Sequence, residues 1–91
     1  MKLVYLPSAQ RDLIWFYEYY TSVFPEGADK ALEQFDAIAE LLLVNPFLGK
    51  RALNDTREMV IYRTPFSYIY RIADTRIEVL RIWDNRQDSL A

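Results

Sequence analysis

The segment REMVIYR-TPF-SYIYRIA-DT-RIEVLRIW, residues 57–83, decides the fold. It holds three runs rich in Val, Ile, Tyr and Trp: Arg57 to Arg63, Ser67 to Ala73, and Arg76 to Trp83. These residue types suit a pleated, half-buried strand. Thr64-Pro65-Phe66 joins the first two runs and Ala73-Asp74-Thr75 the second and third. Links this short connect antiparallel neighbours, because a parallel pair needs a crossover of a dozen or more residues. An antiparallel meander is predicted. In period two, one parity collects Val60, Tyr62, Tyr68, Tyr70, Ile72, Leu80 and Ile82, which is expected to be the face beneath any covering helices. The other parity collects Met59, Ile61, Arg63, Ile69, Arg71, Val79, Arg81 and Trp83. It fits either a half-exposed sheet with solvated arginines or a surface that binds something anionic or planar.

Toward the N-terminus, Leu3 to Leu6 reads as a short strand that Pro7 stops. Ser8 offers an N-cap for a helix through about Tyr20. In that helix Leu13, Phe16, Tyr17 and Tyr20 keep helical spacing, while Arg11, Asp12 and Glu18 are expected to face away. A turn at Thr21 to Pro25 leads to a second helix, about Glu26 to Val44, with an apolar stripe through Ala28, Ala31, Leu32, Phe35, Ile38 and Leu42. Asn45-Pro46 ends it, since proline disfavours helical geometry in the residue before it. The order β-α-α-β-β-β gives an α+β fold, a helical hairpin on one face of a small, mainly antiparallel sheet. Ninety-one residues suit a single domain, expected to span 1–91.

Composition removes several kinds of chemistry. The chain has no Cys and no His, so thiolate catalysis, disulfides and the commonest metal ligand are absent. No Gly-rich phosphate loop, nucleophile elbow or metal-ligand spacing is present, and neither a metal nor another cofactor is expected. The N-terminal apolar run is too short for a signal peptide, and no segment approaches the ~20 apolar residues of a membrane helix. A cytoplasmic protein without membrane contact is expected.

The net charge of −2 hides an asymmetry. Residues 1–50 carry four Lys or Arg against seven Asp or Glu, and residues 51–91 carry seven Arg against six acids. The basic charge of the strand half is all arginine, the residue favoured where a planar guanidinium makes stacked or bidentate contacts. The stretch Arg81-Ile82-Trp83-Asp84-Asn85-Arg86-Gln87-Asp88 gathers an aromatic and several polar groups at a strand end. Either Arg81 pairs with a neighbouring acid and Trp83 packs, or both bind a partner. The first helix, with Trp15, Phe16 and Tyr19, carries more apolar surface than so small a core should hide, which points to a protein partner.

Several stretches in order carry a family resemblance. They are Ser8-Ala9-Gln10-Arg11-Asp12-Leu13, Leu42-Leu43-Val44-Asn45-Pro46-Phe47-Leu48-Gly49, Arg57-Glu58-Met59-Val60-Ile61, Tyr68-Ile69-Tyr70-Arg71-Ile72 and Ile77 to Asp88. Together they resemble the ParE branch of the RelE/ParE superfamily, the toxin half of type II toxin–antitoxin modules that include plasmid-stabilisation proteins. The resemblance implies a toxin that inhibits DNA gyrase by binding and is neutralised by a ParD-like antitoxin in a hetero-oligomer. It does not imply sequence-specific DNA binding by this chain, and no catalytic residue is assigned. Arg57, Arg63, Arg81, Trp83 and Arg86 are the candidate target contacts, and Trp15, Phe16 and Tyr19 the candidate antitoxin contacts. The alternatives are a ribosome-dependent mRNA endoribonuclease of the RelE type, using Arg63, Arg86 and a sheet tyrosine, or an inactive antitoxin-binding module. The chain departs from the nuclease pattern in having Ser67 where an Arg is typical and no Tyr after Arg86. It also has Trp83-Asp84 where many members have an apolar residue and a His.

Overall fold

The computed structural model describes residues 1–86. In chain order the elements are β1 (Lys2–Tyr5), α1 (Pro7–Val23), α2 (Pro25–Val44), β2 (Lys50–Arg51), β3 (Arg57–Val60), β4 (Phe66–Ala73) and β5 (Arg76–Asp84). They form one sheet in the order β1-β5-β4-β3-β2. β3, β4 and β5 make the expected meander, β2 extends it antiparallel to β3, and β1 lies parallel to β5. The expected β-α-α-β-β-β order holds, with the two-residue β2 added. Among the described residues no helix is long and apolar enough to cross a membrane.

Element ends differ from the sequence reading for local reasons. α1 starts at Pro7, whose fixed φ and missing N–H suit the first helical position. Ser8 lies inside the helix and is not the cap; its hydroxyl accepts a bond from Arg11 instead. α1 also runs through the expected turn to Val23, where Thr21 bonds back to the carbonyls of Tyr17 and Glu18. Phe24 alone separates it from α2. β3 stops at Val60, so Ile61 to Pro65 form a turn, not strand.

The expected inner parity holds for β4, fails on β3 and is split on β5, where Ile82 is buried as expected and Leu80 is not. Met59 lies opposite Tyr68, so Met59 and Ile61 are buried and Val60 and Tyr62 are half exposed. Both parities of β3 are apolar, and only the cross-strand register chooses between them. In β5 the register slips: Tyr70 faces Val79 and Ile69 faces Arg81, leaving Leu80 as an extra residue. This bulge carries Ile77 and Val79 inward on one side of it and Ile82 on the other.

An aromatic cluster joins helices to sheet. The Phe16 ring stacks on Phe35 at 4.5 Å and meets Phe66 edge-on at 5.2 Å. Two buried tyrosines then fasten α2 by their hydroxyls. Tyr68 donates to the Phe35 carbonyl at 3.0 Å and shares a 2.9 Å bond with the Tyr5 hydroxyl. Tyr70 donates to the Pro46 carbonyl at 2.6 Å and accepts from the Gly49 amide at 2.9 Å. Burial raises both hydroxyl pKa values, that of Tyr68 far above the usual phenol range. On the outer face Glu78 sits under Arg71, which donates at 2.6 Å, and Arg76. Hydrogen bonds from these two arginines hold its carboxyl below the ordinary range.

Two outcomes follow. A Cβ on Gly49 would lie 2.6 Å from the Tyr70 hydroxyl and 3.0 Å from the Glu58 carbonyl. Gly49→Ala is therefore expected to cost about 1–3 kcal/mol, the usual price of overpacking, read as a lower urea midpoint at unchanged slope. Because the Glu78 pKa is depressed on folding, its ion pairs add stability above the carboxylate range and lose it as pH falls through that range. The urea midpoint is expected to be level from pH 8 to 5 and to drop below about pH 4.5, the ordinary Glu value. Glu78→Gln is expected to make that drop shallower.

Candidate functional site

β1 covers one edge of β5 only as far as Val79: Tyr5 is opposite Val79, and the Leu6 amide bonds its carbonyl at 2.9 Å. Beyond that point the edge has no strand partner, and α1 crosses it. Asp12 takes the place of a strand there. Its Oδ2 accepts the Ile82 amide at 2.9 Å and Arg81 Nε at 2.8 Å, and its Oδ1 accepts Arg81 Nη2 at 3.1 Å. Ile82 is buried, so without Asp12 its amide would lose its partner, a cost of about 1–3 kcal/mol. Asp12 thus points to the sheet edge, not away from it as its helical position suggested. The bidentate contact also raises the Arg81 pKa and fixes the guanidinium 5.7 Å from the Trp83 ring.

A second arginine–acid pair closes the corner. Asp84, nearly buried at the end of β5, accepts Arg86 Nε at 3.0 Å and Nη2 at 2.8 Å, and also the Arg86 amide at 2.9 Å. Those bonds depress the Asp84 pKa and raise that of Arg86. The Arg86 guanidinium lies 5.7 Å from the Tyr19 ring and 5.9 Å from the Phe66 ring. Tyr19 in turn stacks on Trp15 at 5.3 Å, one helical turn earlier. Asp12, Trp15, Phe66, Trp83 and Asp84 line the small depression between the two pairs.

The turn after β5 is also fixed. The Asn85 side chain donates to the Ser67 hydroxyl at 2.7 Å, and its amide bonds the Pro65 carbonyl at 2.7 Å. Ser67 is fully buried. Ser67, where the chain departs from the nuclease pattern, therefore accepts from Asn85 in the turn that leads to Arg86.

Of the eight sequence-derived candidates, five meet at this corner: Trp15, Tyr19, Arg81, Trp83 and Arg86. Trp15 and Tyr19 from the one set thus lie beside Arg81, Trp83 and Arg86 from the other. Phe16 is the correction: given to the candidate antitoxin contacts, it is fully buried in the aromatic cluster, in keeping with its place in the helical apolar stripe. Arg57 lies elsewhere, donating to the Gly49 carbonyl at 2.8 Å with its guanidinium 5.1 Å from the Phe47 ring. Arg63 sits in the β3–β4 turn. Gln87 and Asp88 lie outside the described residues. The sequence reading missed Asp12 and Asn85. Asp12 carried one usable signal, an acid on a helix whose other end of contact had to be an arginine-bearing strand.

The arrangement is suited to binding. Each guanidinium is neutralised by a fixed carboxylate, lies 5.7 Å from an aromatic ring and stays half exposed. Among the described residues no group of three acidic, His or Cys side chains is placed to hold a metal ion.

A family model for the ParE toxin of the type II toxin–antitoxin system parDE matches residues 3–89. A solved structure described as the chromosomal ParDE system from P. aeruginosa is similar at 29% identity and a TM-score of 0.76, covering 90% of this chain and 92% of that one. A second, described as a YoeB/ParE toxin from Agrobacterium tumefaciens, shares the fold at 21% identity and a TM-score of 0.60, covering 90% and 95%. No curated protein gives a match. With the family pattern running through nearly the whole length and the fold shared, this chain belongs to the ParE toxin family of type II toxin–antitoxin systems.

Proposed function

We propose that the chain is a binding-type toxin of the cytoplasm that inhibits DNA gyrase and is neutralised by a ParD-like antitoxin. One observation carries this reading: the arginine–aromatic corner is built from neutralised guanidiniums set beside aromatic rings. Such groups recognise a protein surface well and stabilise developing negative charge poorly, because each already has its anion. Arg81, Trp83 and Arg86 are the target contacts. Arg57 is better read as a clamp on the loop after α2, given its bond to Gly49 and its stacking on Phe47.

The RelE-type alternative is disfavoured by the same geometry. It needs a sheet tyrosine to move protons beside Arg86, whereas the Tyr68 and Tyr70 hydroxyls point into the core, where they bond Phe35 and Pro46. Their raised pKa values also oppose proton release.

The antitoxin is assigned to the outer side of α1, where Ile14, Trp15 and Tyr17 stand half exposed and Tyr19 partly so. Trp15 lines the same depression as Arg81 and Trp83. An antitoxin segment over Trp15 would therefore cover the target surface, and neutralisation would be steric occlusion.

Purified toxin is expected to inhibit gyrase supercoiling, and Arg86→Ala to weaken that inhibition by roughly tenfold or more, as for loss of a hot-spot arginine. Trp15→Ala is expected to weaken antitoxin binding by a similar factor in titration calorimetry. Unaltered supercoiling at saturating wild-type toxin would refute the gyrase assignment.

A further inference from the structure

Four non-glycine residues in the described chain have positive φ: Asn54, Asp55, Asp74 and Arg63. Asn and Asp tolerate this conformation, because their short polar side chains bond locally. Arg63, at φ 64°, has no such excuse. It is the third residue of a turn closed by the Thr64 amide on the Ile61 carbonyl at 3.1 Å and reinforced by the Thr64 hydroxyl on the same carbonyl at 2.8 Å. Positive φ at that position is where glycine or asparagine is the ordinary choice. The fold would be more comfortable with glycine here.

Among the described residues the Arg63 side chain makes no ion pair that would explain its presence. Arg63 is exposed. Among the described residues the ion pairs are made by Arg71, Arg76, Arg81 and Arg86, not by Arg63. It borders a groove with Phe24, Lys30, Glu26 and Glu33, yet neither glutamate comes within ion-pair distance of it. Beside it Tyr62 and Val60 are half exposed. A protruding turn that shows Tyr and Arg together has the composition of a protein-binding hot spot. Backbone strain kept at such a point marks a functional constraint.

We propose that the β3–β4 turn is a second protein-contact element, in which Arg63 pairs with a carboxylate on the protein that the toxin poisons. This rests on reading the chain as a toxin with a protein target, but not on that target being gyrase. With no ion-pair partner among the described residues, the Arg63 guanidinium is open to a carboxylate on that protein. The half-exposed Tyr62 and Val60 beside it favour a protein surface over a nucleic-acid backbone.

The test compares wild type with Arg63→Gly. The variant is expected to fold with a higher urea midpoint, because the positive-φ cost is removed. Induced in cells without the antitoxin, it is expected to need roughly tenfold more toxin for growth arrest, while co-expressed antitoxin still binds it. Full toxicity of Arg63→Gly, or a lowered midpoint, would overturn the proposal. So would wild-type binding to a fluorescent DNA duplex that the substitution abolishes, since that makes the partner a phosphate backbone. If wild type arrests growth without affecting gyrase, only the gyrase assignment fails and the Arg63 comparison still reads out. If wild type is harmless, both fail.

Discussion

The corner on which function is placed depends on one carboxylate. β1 is four residues long and leaves the far half of β5 without a neighbour on that edge. A bare edge next to a hydrophobic core has either to find hydrogen-bond partners or to expose buried amides. Asp12 supplies the partner from a helix: it satisfies the Ile82 amide and, with its remaining lone pairs, holds Arg81 in a bidentate grip. A helix–sheet contact of this kind is directional, unlike the apolar contacts around it. It sets the rotation of α1 against β5, and with it the positions of Trp15 and Tyr19 relative to Arg81, Trp83 and Arg86.

The rest of the core supplies a rigid base for that contact. Phe16, Phe35 and Phe66 fill the space between helices and sheet, while Tyr68 and Tyr70 fasten α2 and its exit loop by their hydroxyls. These hydroxyls are spent on architecture. A small sheet rich in tyrosine invites a catalytic reading, but here the phenols serve as long apolar side chains with one satisfied polar tip. The hydroxyls of Tyr68 and Tyr70 thus serve positioning, and at the corner Arg81 and Arg86 are each paired with an acid.

Most of the fold was legible in the sequence because the signals were local. The runs from Arg57 to Trp83 and their short links dictate a meander, and the apolar stripe from Ala28 to Leu42 dictates α2. What could not be read was set by pairing. Met59 and Val60 are both apolar, so only their register against Tyr68 and Ser67 decides which is buried. The Leu80 bulge turns Ile77 and Val79 inward while Ile82 keeps its expected side, and it leaves no mark in composition. At the site, the arginines and Trp15 were found from residue type alone. Asp12 was not, since its partner lies 70 residues away along the chain. Phe16 was misplaced because five aromatics between Trp15 and Tyr20 blur the boundary between core stripe and exposed face.

A toxin that must be both stable and quickly silenced gains from having target and antitoxin surfaces coincide. Under the proposed function they would coincide in this chain, because Asp12 docks α1 against the β5 edge. Amide hydrogen exchange in wild type and Asp12→Ala tests that claim most directly. The account predicts that the Ile82 amide is protected in wild type and exchanges much faster in the variant, while the amides of Tyr68 and Tyr70 in the central strand keep their protection. Equal protection of Ile82 in the two proteins would contradict it.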